Sequence, residues 1–164
     1  MNVVIRTAAL EDAAAIALIY AHYVLTSTAT FELEPPDAHE IAQRIERVFE
    51  RSLPYLVAEV DGAIAGYGYA APFRPRPAYQ FTVEDTVYLH RDYSGRGLGR
   101  RLLEELIVRC RTAGCRQMIG VIGGDNPASV ALHKTMGFTE AGLLHGVGFK
   151  LGQWLDVTLL QRPL

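Results

Sequence analysis

Apolar and polar positions along the chain switch repeatedly between a two-residue and a helical period. Asn2 to Arg6 is a short run of strand-forming residues that ends before Thr7. Leu10, Ala14, Leu18 and Ala21 then recur at helical spacing, with Glu11 and Asp12 in the first turn, which predicts a helix with that stripe turned inward. Thr26 to Pro36, TSTATFELEPP, has no helical period and ends in two prolines, so it reads as an ordered surface loop. Asp37 with Glu40 resembles a capping box ahead of Ile41, Ile45 and Val48 or Phe49, the apolar stripe of a second helix. Tyr55 to Val60 and Ala63 to Ala71 predict two strands joined by a tight turn at Asp61-Gly62. The following PFRPRPAY is broken by three prolines and presents Arg74 and Arg76 on a loop.

The second half centres on Thr86 to Cys110, which reads as strand, glycine-rich turn and helix. Along Val83 to Leu89, alternation sets Glu84, Thr86 and Tyr88 on one face and Val83, Asp85, Val87 and Leu89 on the other. Leu98, Leu102 or Leu103, Leu106 and Cys110 form the buried stripe of the helix, which Gly114 ends. Gln117 to Ile122 is an apolar strand. Asn126-Pro127 supplies an N-cap followed by proline at the first helical position, and that helix runs to Gly137. Thr139 to Val147 and Trp154 to Leu160 complete the chain as strands. The order β-α-α-β-β-β-α-β-α-β-β predicts a single α/β domain with a mixed sheet.

The turn carries the first chemical signal. Gly95, Gly97 and Gly99 alternate with Arg96, Leu98 and Arg100, so the backbone can approach a ligand closely with its amides outward, and a helix start adds its positive dipole end. This is a site for a pyrophosphate. A nucleotide-hydrolysing loop needs Gly-Lys-Ser/Thr here, whereas Gly99 is followed by Arg100-Arg101. A dinucleotide fold places its glycines after the first strand of a β-α-β series, not mid-chain. Coenzyme A is the third reading.

Composition narrows the classes further. Among 164 residues, 49% are apolar and 21% charged, with a formal charge of −2, which speaks against a general nucleic-acid binder. Cys110 and Cys115 have neither zinc spacing nor a disulfide framework and read as buried free thiols. The first residues lack a signal-peptide pattern and no apolar run is long enough to span a membrane, so a cytoplasmic protein is expected.

HRDYSGRGLGRRLLEELI resembles the pyrophosphate-binding motif of the GCN5-related N-acetyltransferases, and DNPASVALHKTMGF resembles a later segment of that superfamily. RPAYQFTVEDTVYLHRDYSGRGLG, LHKTMGF and GQWLDVTLLQR are similar to the phosphinothricin and methionine sulfoximine acetyltransferases. The resemblance implies the acetyltransferase fold, with helices on both faces of a mixed sheet and a splayed central strand. It implies acetyl-CoA as co-substrate, no metal, and a homodimer. It assigns the pyrophosphate to Gly95, Arg96, Gly97, Leu98, Gly99 and Arg100, the thioester to the backbone of Val87, Tyr88 and Leu89, and the pantetheine arm to Asn126 and Ser129. Arg76 and Tyr79 stand where these relatives carry an Arg and a Tyr before the catalytic strand. The superfamily usually has Gln or Arg three residues before the first glycine of its G-x-G pair, and Ser94 departs from this.

Acyl transfer from a thioester to an amine needs a base for the amine, donors for the developing oxyanion and a proton for the leaving thiolate. Glu84 is the expected base. His133 falls on the same helix side as Asn126 and Ser129, at a place where the superfamily usually has Tyr, and is expected to act as acid or second base. A guanidinium pairs with a carboxylate, so Arg76, and less so Arg74, with Tyr79, point to an amino-acid-like substrate, and Phe31 is either a substrate wall or a loop anchor. Acetylation of another amine (a polyamine, an aminoglycoside or a protein N-terminus) is the alternative. A non-catalytic CoA-binding module would lack the Glu84 and His133 pair. Neither cysteine has a histidine in local sequence to activate it as a nucleophile.

Overall fold

The computed structural model describes residues 1–164. Strands β1 (Val3–Thr7), β2 (Tyr55–Val60), β3 (Ala63–Pro72), β4 (Thr82–Leu89), β5 (Gln117–Gly123), β6 (Thr139–Lys150) and β7 (Gln153–Pro163) form one sheet in the order β1-β2-β3-β4-β5-β7-β6. Helices α1 (Ala13–Thr26), α2 (Ala38–Glu50), α3 (Leu98–Thr112) and α4 (Pro127–Thr135) cover its faces. No helix is long and apolar enough to cross a membrane.

Two cores sandwich the sheet. On one side Ile16, Ile19, Tyr20 and Val24 of α1 and Ile41 and Ile45 of α2 pack on Tyr55, Val57 and Tyr67. On the other, Leu102, Leu103, Leu106 and Cys110 of α3 pack on Leu56, Ala58, Val83 and Met118. The α3 stripe is the expected one, and both cysteines are buried and free. The α1 stripe is not: Leu10 is 46% and Leu18 76% exposed, and Ala14 faces solvent. That segment, AAAIALIYAHYVLT, is apolar nearly all round, so its periodicity does not choose a face and the fit of Ile16, Ile19 and Tyr20 to the sheet does.

The helix caps follow the sequence. Asp37 accepts from the Glu40 amide at 2.8 Å and Asn126 from the Ser129 amide at 3.1 Å. The last two strands extend beyond their expected ends, and Trp154, 72% exposed, lies outside the core.

All neighbouring strands are antiparallel except β4 and β5. Their parallel ladder covers only Thr82–Asp85 against Gln117–Gly120, although β4 continues to Leu89 and β5 to Gly123. Beyond Asp85 and Gly120 the strands part. Two facing edges are thereby left without strand partners in mid-sheet.

Candidate active site

A cavity of about 650 Å³ opens where β4 and β5 part, and runs from the α1 side of the sheet to the start of α3 and α4. Glu84 and Tyr88 of β4, Gly95 and Gly99 of the turn, and Ser129 and His133 of α4 are among its walls. Val87, Leu89, Asn126 and Phe31 line it as well.

At the α3 end, Gly95 (φ 75°) and Gly97 (φ 77°) adopt the left-handed conformation, and a side chain at either would meet no atom within 4 Å. The turn is therefore shaped by backbone conformation, with open space on its outer side. The first hydrogen bond of α3 runs from the Arg101 amide to the Gly97 carbonyl at 3.2 Å, so the amides before it have no partner in the helix. That is an anion site made from main chain, and it fits a pyrophosphate with Ser94 contributing no long side chain. Arg96 and Arg100 are exposed beside it, while the Leu98 side chain is buried against Val60 and Ala65. Of Leu98, only the backbone is available to a ligand.

The α1 end is walled by tyrosine. The Tyr88 ring lies 4.9 Å from Tyr23 and 5.3 Å from Tyr20, and the Tyr23 hydroxyl donates to the Leu89 carbonyl at 2.5 Å. The loop from Ser27 to Asp37 closes this end and is pinned at several points. Lys150, only 4% exposed, donates to the Thr30 carbonyl at 2.8 Å, the Thr30 hydroxyl bonds Tyr20 at 2.8 Å, and Arg44 forks onto Glu32 at 2.7 and 2.9 Å. Phe31 lies against two glycines of the sheet, Gly123 and Gly148, and still faces the cavity. One placement thus anchors the loop on the sheet and sets the ring in the cavity wall.

Glu84 projects into the cavity from β4. Burial raises its proton affinity above the ordinary carboxylate value, the charge of Asp85 raises it further, and Arg74 partly offsets both. A raised proton affinity on a cavity wall is what a general base requires. Arg74 reaches Glu84 only through its field, since its guanidinium stacks on Phe73 at 4.2 Å and donates to the Phe73 carbonyl. Arg74, Arg76 and Tyr79 are exposed and do not line the cavity, and Tyr79 packs edge-on against Phe73 at 5.7 Å. The proline-broken loop thus stands outside the site that holds Glu84.

His133 does reach the cavity, but both of its ring nitrogens are engaged by the protein. Nδ1 bonds the Ser129 carbonyl at 2.7 Å, and Nε2 lies 3.0 Å from an Asp85 oxygen. The alternation along β4 sets Asp85 with Val83, Val87 and Leu89 and by itself gives it no chemistry. Its signal was present, as a carboxylate among Val83, Val87 and Leu89 demands a partner.

The chain matches the Acetyltransferase (GNAT) family over residues 16–138. It is 52% identical over 155 residues to the phosphinothricin N-acetyltransferase of Alcaligenes faecalis, covering 94% of this chain and 79% of that one. It is 38% identical over 160 residues to the L-methionine sulfoximine/L-methionine sulfone acetyltransferase of Salmonella typhimurium, covering 98% of this chain and 94% of that one. Among solved structures, a phosphinothricin acetyltransferase from Sinorhizobium meliloti in complex with AcCoA superposes with a TM-score of 0.97 at 46% identity, covering 100% of this chain and 89% of that one. The chain belongs to the GNAT acetyltransferase family, and acetyl-CoA is its co-substrate.

Proposed function

We propose that this chain transfers the acetyl group of acetyl-CoA directly to the α-amino group of a small amino acid analogue of the phosphinothricin or methionine sulfoximine type. The observation that carries the reading is Glu84, a partly buried carboxylate of raised proton affinity on the wall of a cavity that begins at a main-chain anion site. The glycine turn and the start of α3 hold the pyrophosphate, Asn126 and Ser129 line the arm, and amides of Val87 to Leu89 on the unpaired edge of β4 face the thioester. The neutral amine attacks the acetyl carbon, a C–N bond forms as the C–S bond breaks, and Glu84 takes the amine proton directly or through water. No covalent enzyme intermediate is required. Cys110, the one cysteine on the α3 stripe, is fully buried with its thiol proton held tightly by that burial.

The Arg74 and Arg76 loop supplies positive charge outside the acceptor end, which suits a substrate bearing a carboxylate and disfavours polyamines and aminoglycosides. The protein acts as a homodimer in the cytoplasm: the β6–β7 hairpin exposes Leu143, Val147, Phe149 and Trp154 by half or more, an apolar area of the kind that partners cover. Two free buried thiols suit a reducing compartment.

The reading is tested by mixing purified protein, acetyl-CoA and an amine panel and following free thiol. Release with methionine sulfoximine or phosphinothricin and none with spermidine is expected. Release confined to polyamines or aminoglycosides would overturn the substrate class, and no release with any amine would favour a CoA-binding module.

A further inference from the structure

Asp85 is an ionisable residue on the otherwise apolar face of β4, with its side chain 2% exposed. A carboxylate so placed is costly unless paired. Its partner arrives from α4 through a gap in β5. Gly120 is the β5 residue in register with Asp85, and a Cβ there would lie 2.9 Å from His133 Cδ2 and 3.6 Å from Asp85 Oδ1. The missing side chain at Gly120 is what lets the imidazole lie across the strand and meet the carboxylate. Phe138 backs the ring edge-on at 4.9 Å.

The hydrogen bonds fix one of the two ring protons. A carbonyl only accepts, so His133 Nδ1 carries a proton toward Ser129. Nε2 faces a carboxylate oxygen, and the other oxygen of that carboxylate, Oδ1, is buried with no hydrogen-bond partner. Both Asp85 and His133 line the cavity at the point where the β4–β5 ladder ends.

We propose that Asp85 is a positioning residue of the acetyl transfer, holding His133 as a doubly hydrogen-bonded imidazolium at the parting of β4 and β5. The role rests on the acetyl-transfer reading given above. The ring is then a fixed cation in the cavity wall and not a proton shuttle, because each N–H already has an acceptor. Its field favours the departing thiolate.

Burial pushes the imidazolium toward neutrality, but the Asp85 hydrogen bond, the Asp85 charge and the Ser129 carbonyl outweigh it, leaving the proton more tightly held than on an ordinary histidine. Glu84 on the opposite face of β4 and the Cys110 thiol from α3 also feel Asp85, whose charge adds to the effect of burial on both. Lys134 of α4 and Arg162 of β7 are committed elsewhere, to Glu140 and to the Met136 carbonyl.

Nitrogen-15 NMR of histidine-labelled, full-length protein tests this, with the five histidines assigned by comparison with His133→Gln. Both ring nitrogens of His133 should stay protonated from about pH 6 to about pH 8, across the range where an unperturbed imidazole loses its charge. Asp85→Asn removes the charge but keeps a hydrogen-bonding side chain of the same shape. In it His133 should become neutral within that window, and kcat should fall on the order of 10²-fold with little change in the KM for acetyl-CoA. A His133 ring that titrates near the ordinary histidine value in the unaltered protein overturns the proposal, and so does an Asp85→Asn enzyme with unchanged kcat and pH profile. The wild-type titration decides the protonation state even where the variant fails to fold. Thiol release by the wild-type enzyme reports separately on the acetyl-transfer reading.

Discussion

The ring of Phe31 occupies the space where Gly148 would carry a side chain: a Cβ on Gly148 would sit 2.3 Å from Phe31 Cε2. Gly123 meets the same ring from β5, with Cε1 at 2.7 Å from its notional Cβ. Two glycines of the sheet therefore seat one aromatic of the loop that closes the α1 end of the cavity, where the proposed reading puts the amine. Gly148→Ala should drive the ring out, raising KM for the amine several-fold while leaving KM for acetyl-CoA near its original value, and costing roughly 1–3 kcal/mol by overpacking. Steady-state kinetics with each substrate varied in turn, and a thermal melt, check both parts.

Arg76 is exposed on the loop beyond β3. On the proposed reading it attracts the substrate as a solvent-exposed charge, so Arg76→Ala should raise KM for an amino acid substrate by about two- to fivefold and weaken its salt dependence. A change confined to KM for acetyl-CoA would put the loop at the other end of the cavity.

Asp12 accepts two hydrogen bonds from Arg6, at 2.7 and 2.9 Å, and one from the Ala9 amide at 2.8 Å, tying the entry of α1 to β1. The Arg6 hydrogen bond leads in holding its carboxyl below the usual range. A depressed folded-state value means the stabilisation is present above the unfolded carboxylate value and is lost as pH falls through the folded one. Asp12→Ala should cost about 2 kcal/mol at neutral pH. The gap between variant and parent should close in acid melts.

Trp154 and Phe149 lie against each other on the exposed hairpin, ring centroids 5.0 Å apart and planes tilted by 50°. Trp154→Glu should shift the mass measured by light scattering from dimer to monomer. A parent protein of monomer mass, or a variant that keeps the dimer mass, would contradict the proposed hairpin interface.

Elements with one dominant stripe or a side-chain cap were legible in the sequence: α2 with Asp37, α3 with its leucines, α4 with Asn126. The glycine turn was legible too, because left-handed backbone at Gly95 and Gly97 leaves a mark in composition. The face of α1 was not, since an all-apolar helix is oriented by the shape of the sheet it meets. The Asp85–His133 pair was legible only in halves. A carboxylate on an apolar face and a histidine beside a cap were each visible, but their meeting depends on a register that sets Gly120 between them. The tyrosine wall was likewise hidden, being drawn from α1 and β4, which only the fold brings together.

Glu84 carries the central claim, and its ionisation has two consequences of defined sign. With a proton affinity raised by folding, its charged form costs stability, and that cost appears as pH rises through the folded-state value. Glu84→Gln should therefore melt higher than the parent at neutral pH, the difference vanishing in acid.

The most direct measurement is kcat/KM for methionine sulfoximine against pH, in the parent enzyme and in Glu84→Gln. The parent should gain activity with pH in two steps. The upper step reflects the amine becoming neutral, and the lower one, above the ordinary carboxylate range, reflects Glu84 giving up its proton. Glu84→Gln should lose on the order of 10²- to 10⁴-fold in rate, the usual worth of a general base, and lack the lower step. A variant that keeps both the rate and the lower step would contradict the assignment of Glu84 as the base.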